Sequence, residues 1–260
     1  MAIKIAFANL KGGVGKTVTA TSVASILENK GYRVLCCDCD PQRNASAVYR
    51  AKVEQVPTMY DIIFSGYTAS QCIQRTSFGD IIPNDPNLIN VDGQIKPSPG
   101  MYKHLKKSLL EVETEYDFII FDTTPYAGFL LGNVLMCCDY VVVPLECELF
   151  GIQGLFDFND VIKEFQEDNQ NLKILGLLKV KYKKKQKLTR DLEESILPQY
   201  AAQIGTKVFQ STIRESVKLK ESVMLRLRLF DHAKGSTVET DYNVFVDELL
   251  KEVKKYGRNK

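Results

Sequence analysis

Continuous apolar runs alternate along the chain with stretches where apolar residues recur every three or four positions. Residues 3–8, 33–39, 117–121, 139–145 and 174–180 are short apolar runs, the pattern of parallel strands covered on both faces. Residues 18–30 place Val23, Ile26 and Leu27 on one helical face and close at Gly31. Residues 128–138, 151–168 and 237–256 also read as helices, the last with Phe245, Leu249 and Val253 at helical spacing. Weaker signals predict a short helix over 58–64 closed by Gly66, and short strands over 80–83 and 88–91 divided by an Asn-Asp-Pro-Asn turn. A helix is expected over 101–115, another over 189–203 disturbed by Pro198, and a short strand over 207–210. Strands separated by helices imply right-handed crossovers. The expected fold class is α/β: a doubly wound, mostly parallel sheet with helices on both faces. With no Ser/Gly-rich linker and no repeat of fixed period, a single domain over 1–260 is expected.

Between the first strand and the first helix lies Asn9-Leu10-Lys11-Gly12-Gly13-Val14-Gly15-Lys16-Thr17. Glycines let successive backbone N–H groups turn inward and cradle a polyphosphate at a helix N-terminus. Gly12, Gly13, Val14, Gly15, Lys16, Thr17 and Val18 are the candidate phosphate cradle. Lys16 is placed for the β- and γ-phosphates and the Thr17 hydroxyl for Mg2+. The strict pattern asks for Gly where Leu10 stands, and Lys11 is a lysine that an ordinary phosphate loop does not need. Ligands gather at the carboxyl ends of parallel strands. Asp38 and Asp40 end the second strand, two residues apart and so on one side, and Asp122 ends the 117–121 strand as in a Walker B element. Mg2+ prefers a few carboxylates, waters and phosphate oxygens over a full protein cage, and Thr17 with the acids at these strand ends suits it. The remaining acid can orient a water for attack on the γ-phosphate. A lone strand-end acid is as often a turn former; the loop and the acids together favour a nucleotide.

Composition changes this picture in two places. The 260 residues are 45% hydrophobic and 25% charged, as in an ordinary globular protein, and the net charge of +2 excludes a polybasic chain. Yet residues 179–190 carry Lys179, Lys181, Lys183, Lys184, Lys185, Lys187 and Arg190 with no acid among them, which suggests an anionic partner met from one direction. Seven cysteines lie mostly in apolar runs, where a free thiol behaves as a small hydrophobe. No signal-like segment precedes the first strand and no run is long enough to span a membrane, so a reducing cytoplasm is expected.

Lys-Gly-Gly-Val-Gly-Lys-Thr at 11–17 resembles the deviant Walker A motif of the ParA/MinD superfamily. Asp38-Cys39-Asp40-Pro41-Gln42 resembles the second motif of ParA-type DNA-partition ATPases. Asp-Phe-Ile-Ile-Phe-Asp-Thr-Thr-Pro at 117–125 resembles the Walker B segment, and Val-Val-Pro-Leu-Glu-Cys-Glu at 142–148 the segment that follows. The likeness runs nearly end to end, to Phe230-Asp231 and Gly235 before the last helix. It implies an ATP-dependent homodimer in which Lys11 reaches the partner's nucleotide, a charge supplied in trans much as an arginine finger is. It implies that Asp40 positions the attacking water, that Asp38 and Asp122 sit near Mg2+, and that slow hydrolysis is stimulated by a partner. Lys185 and Lys218 align with basic positions that contact DNA in the family. The candidate DNA-binding set is therefore Lys181, Lys183, Lys184, Lys185, Lys187, Arg190, Lys218 and Lys220, touching double-stranded DNA non-specifically through phosphates.

The chain departs from the family at Thr124, where Pro is usual, and at 213–219, where Ile-Arg-Glu-Ser-Val-Lys-Leu lacks the family proline and places Glu215 at the arginine position. No adenine contacts are assigned for that reason. With no helix-turn-helix before the first strand, the resemblance is to the short partition ATPases, which move plasmid or chromosomal DNA with a ParB-like centromere-binding partner. A cytoplasmic, nucleoid-associated location with no membrane contact is expected. The alternative is a MinD-like membrane-cycling or protein-cargo positioning ATPase, although residues 256–260 hold only one bulky apolar side chain for a membrane helix. An iron–sulfur ATPase would need two well-spaced cysteine ligands, whereas Cys36, Cys37 and Cys39 lie on a strand and no cysteine falls between Cys72 and Cys137. A scaffold that binds nucleotide without hydrolysis has less use for Asp40.

Overall fold

The computed structural model describes residues 1–90, 100–147, 149–182 and 196–257. Eight strands form one sheet: β1 (Ile3–Phe7), β2 (Val34–Cys39), β3 (Gln74–Thr76), β4 (Gly79–Ile82), β5 (Phe118–Thr123), β6 (Tyr140–Glu146), β7 (Lys173–Tyr182) and β8 (Val208–Arg214). Their order is β3-β4-β2-β5-β1-β6-β7-β8, parallel throughout except for the antiparallel β3–β4 pair at one edge. The doubly wound α/β expectation holds.

Alternation along β1 sets the two layers. Ile5 and Phe7 pack with Val23, Ile26 and Leu27 of helix α1 (Lys16–Asn29) and with Phe245 and Leu249 of the C-terminal helix Thr237–Gly257. Ala6 and Ala8 face the opposite layer, where Leu105, Leu131, Leu135 and Phe158 are buried. The central strands carry apolar residues at consecutive positions because both faces are covered.

Three expectations need correction, and one strand was not expected. Residues 88–90 are not strand: Pro86–Asn90 is a 3-10 helix, because the Asp85 carboxylate accepts from Asn87 N–H and its carbonyl from Leu88 N–H. The 101–115 helix breaks into Met101–Lys103 and His104–Leu109 followed by turns. There the chain is drawn to the N-terminus, where the Glu113 carboxylate pairs with Lys4 Nζ at 2.6 Å and its carbonyl accepts from Ala2 N–H. The 207–210 strand extends to Arg214. β3 was not foreseen, because three polar residues carry no alternation; it is held as a hairpin in which the Thr76 hydroxyl donates to Gly79 O. Residues 189–195 of the expected 189–203 helix lie outside the described residues; Leu197–Gln203 is helical.

Candidate functional site

The carboxyl ends of β1, β2 and β5 meet at one point because they are neighbours, in the order β2-β5-β1. The glycine-rich loop leaves β1 there and runs directly into α1, which begins at Lys16, two residues before the periodicity predicts. Gly13 and Gly15 have φ of 75° and 77°, a left-handed backbone that would strain any side-chain-bearing residue. α1 has no side-chain N-cap and no acid in its first turn, so its N-terminal N–H groups face the loop uncompensated. Asn9 anchors the loop: its amide donates to Pro144 O at 2.8 Å and its Oδ1 accepts from Lys11 N–H at 2.9 Å. Sequence reading missed this role for Asn9, whose signal was a polar residue ending an apolar strand.

Lys16 is nearly buried and donates to Lys11 O at 3.0 Å, folded back on its own loop. Burial lowers its pKa, opposed by the charges of Asp122 and Asp40. Asp38 and Asp122 are direct neighbours across β2 and β5, and both are fully buried. Neither oxygen of Asp122 has a hydrogen-bond partner among the described residues. Burial raises its pKa far above the carboxylate range, the charge of Asp38 adds to that, and the nearby Thr17 hydroxyl opposes it. Asp38 is also raised by burial, but the Ser46 hydroxyl and the amides of Ser46 and Asp40 pull it back. Asp40 lies at the site wall; burial raises its pKa, against Gln42 N–H and Lys16. The structure therefore brings Lys16, Thr17, Asp38, Asp40 and Asp122 together.

A cavity of about 620 Å³ opens beside them. Gly12 to Val18 and Asp40 line one end of it. Ile213 of β8, Leu219 and Val223 of the helix Val217–Met224, and Leu227 just after that helix line the other. This far wall was not assigned from the sequence, although the four-residue spacing of Leu219 and Val223 signals a helix face. A polyphosphate cradle continuous with an apolar slot is the shape of a nucleotide.

Residues 2–174 match the family model described as AAA domain. The sporulation initiation inhibitor protein Soj of Bacillus subtilis is 32% identical over 224 residues, covering 84% of this chain and 86% of that protein. The chain belongs to the ParA/Soj family of deviant Walker A ATPases. Among solved structures, cobyrinic acid a,c-diamide synthase from Mycobacterium smegmatis with bound ATP analogue and magnesium is similar. It has 26% identity and a TM-score of 0.80 over 98% of this chain and 96% of that one. A plasmid partition protein from Borrelia burgdorferi shares the fold at 24% identity, with a TM-score of 0.75 over 96% of this chain and 99% of that one.

The residues of this ParA-family site fit ATP and Mg2+. An orphaned, buried carboxylate at Asp122 beside the Thr17 hydroxyl is a cation's environment, and an uncapped helix N-terminus behind two left-handed glycines is a phosphate's.

The basic candidates fall differently. Lys181 and Lys220 come to the cavity wall, where Lys181 pairs with Glu146 at 2.8 Å and Lys220 pairs with Glu215. Lys218 points away into an ion pair with Glu221 at 3.3 Å. Lys183, Lys184, Lys185, Lys187 and Arg190 lie outside the described residues. The cysteines are free thiols, six of them buried; burial pushes those of Cys36, Cys37 and Cys39 well above the usual thiol range. Among the described residues no helix is long and apolar enough to cross a membrane.

Proposed function

We propose that this ParA-family chain is a DNA-partition ATPase. It binds ATP with Mg2+, dimerises around it, binds double-stranded DNA non-specifically, and hydrolyses ATP when stimulated by a ParB-like centromere-binding partner. The observation that carries the reading is the double-lysine loop set against three strand-end acids, Asp38, Asp40 and Asp122.

In this reading the loop amides from Gly12 to Val18 hold the phosphates. The Lys16 ammonium exchanges Lys11 O for phosphate oxygens. Mg2+, when bound at Thr17 and the acids, neutralises charge developing on the transferred phosphoryl group. The Asp40 carboxylate accepts a hydrogen bond from water and aims it in line with the γ-phosphorus. Lys11 serves the neighbouring subunit's ATP. The ion-paired Lys181, Lys218 and Lys220, together with the 183–190 basic residues, contact DNA phosphates, and the paired carboxylates keep that contact weak until dimerisation doubles the surface. The protein acts in the cytoplasm on the nucleoid.

The test is phosphate release from ATP with non-specific DNA, with the protein encoded beside this one, and with both. Stimulation by both together beyond the sum of each is expected. Release that neither raises contradicts the reading.

A further inference from the structure

Asp38 and Asp122 stand side by side, yet their carboxylates have different surroundings. Asp122 has no hydrogen-bond partner among the described residues, whereas Asp38 has three donors. Asp38 Oδ1 accepts from the N–H of Asp40 at 3.1 Å. Asp38 Oδ2 accepts from the N–H of Ser46 at 2.7 Å and from its hydroxyl at 2.6 Å. The Ser46 oxygen in turn accepts from the N–H of Asn84 at 3.0 Å. All three side chains are sealed from solvent. An unbroken hydrogen-bond chain therefore runs from the end of β4, through the short helix α2 (Asn44–Val48), to the backbone of Asp40. The Asp40 side chain is tied to the same loop, since Oδ1 accepts from Gln42 N–H at 2.9 Å. A turn of the Asp40 backbone therefore moves its carboxylate.

We propose that Ser46 is a positioning residue for ATP hydrolysis: it fixes the Asp38 carboxylate, which holds the backbone of Asp40 and so aims the Asp40 carboxylate at the attacking water. Ser46 itself touches neither nucleotide nor water. The inference rests on the hydrolytic reading above and adds to it a residue that no phosphate-loop or acid motif contains. Removing the hydroxyl leaves Asn84 N–H without its acceptor and Asp38 with two donors, among side chains that are buried. Misplacement of a reacting group by an ångström costs about 100-fold in rate, and a lost hydrogen bond permits part of that.

The experiment compares wild type with Ser46→Ala and Ser46→Thr, with Ser46→Cys in reserve should Ser46→Ala not fold. Steady-state phosphate release gives kcat and KM, a fluorescent ATP analogue gives Kd, and hydrogen exchange reads the Asp40 amide in nucleotide-free protein. For Ser46→Ala, kcat falls about 10-fold to 100-fold while KM and Kd stay within about twofold, and the Asp40 amide exchanges about tenfold faster. Ser46→Thr, which keeps the hydroxyl, restores both. Unchanged kcat, an unchanged exchange rate, or a loss of affinity equal to the loss of kcat overturns the proposal. Wild-type protein that releases no phosphate under any condition refutes the hydrolytic reading and the catalytic part of this one with it. Exchange at Asp40, which needs no turnover, still reads the hydrogen-bond chain in that case, and an unchanged rate refutes the chain separately.

Discussion

Glu28 sits near the end of α1 with its carboxylate against the backbone of Gly79, where a Cβ would lie 2.1 Å from Oε1. Burial raises its pKa from 4.5 to about 7, the Arg228 charge opposes that, and Asp80 adds to it. An acid whose folded pKa exceeds its unfolded one binds more protons in the folded state. Its contribution to stability is then complete below pH 4.5 and is lost as pH rises through about 7. Glu28→Gln, which stays uncharged, escapes that loss. Urea denaturation at pH 5 and pH 8 is expected to show the variant gaining about 1–2 kcal/mol on wild type at the higher pH, after discounting for remaining solvent contact. A pH-independent difference contradicts the burial argument. Gly79 is required by its φ of 113°, a left-handed backbone, whereas the flexible end of Glu28 would swing aside for a side chain there.

At the scale of elements, β8 ends the sheet, and its outward N–H groups need acceptors. The C-terminal helix supplies them. Glu248 accepts from Gln210 N–H, Ser211 N–H and the Ser211 hydroxyl at 2.8, 2.9 and 2.6 Å, and Asp241 accepts from Arg214 N–H and its guanidinium. Glu248→Ala should cost about 1–2 kcal/mol in urea unfolding, with faster exchange at Gln210 and Ser211; unaltered exchange there would show that the edge is satisfied without it. These contacts explain what could be read from sequence and what could not. The central strands were legible because burial on both faces writes a continuous apolar run, and the phosphate loop because glycine and lysine spacing is local chemistry. β8 past Gln210 was not, because its order comes from carboxylates some thirty residues away. The strand expected at 88–91 failed over 88–90 because Asp85 imposes a local turn there. Lys16, Thr17, Asp38, Asp40 and Asp122 were each named from the sequence. The links Asn9 to Pro144 and Ser46 to Asp38 were not, because single polar residues leave no periodic trace.

At the scale of the molecule, the phosphate loop carries one lysine more than its own nucleotide needs. Lys16 folds over its own loop, and burial makes its charge costly until phosphate arrives. Lys11 precedes the cradle, at the position from which the family's signature lysine serves a second chain's ATP. Under the proposed function, nucleotide, dimer and DNA are linked: ATP would join two copies, and only the pair would present enough lysines to hold DNA against physiological salt. The most direct test blocks turnover with Asp40→Ala and compares it with Asp40→Ala/Lys11→Ala, each with ATP and Mg2+. Light scattering measures mass and a gel shift measures DNA binding. Asp40→Ala should run at twice the 29.4 kDa chain mass and shift DNA in a salt-dependent way, and adding Lys11→Ala should return a monomer that leaves DNA free. A double variant that still dimerises on ATP and shifts DNA would contradict the role of Lys11 between chains.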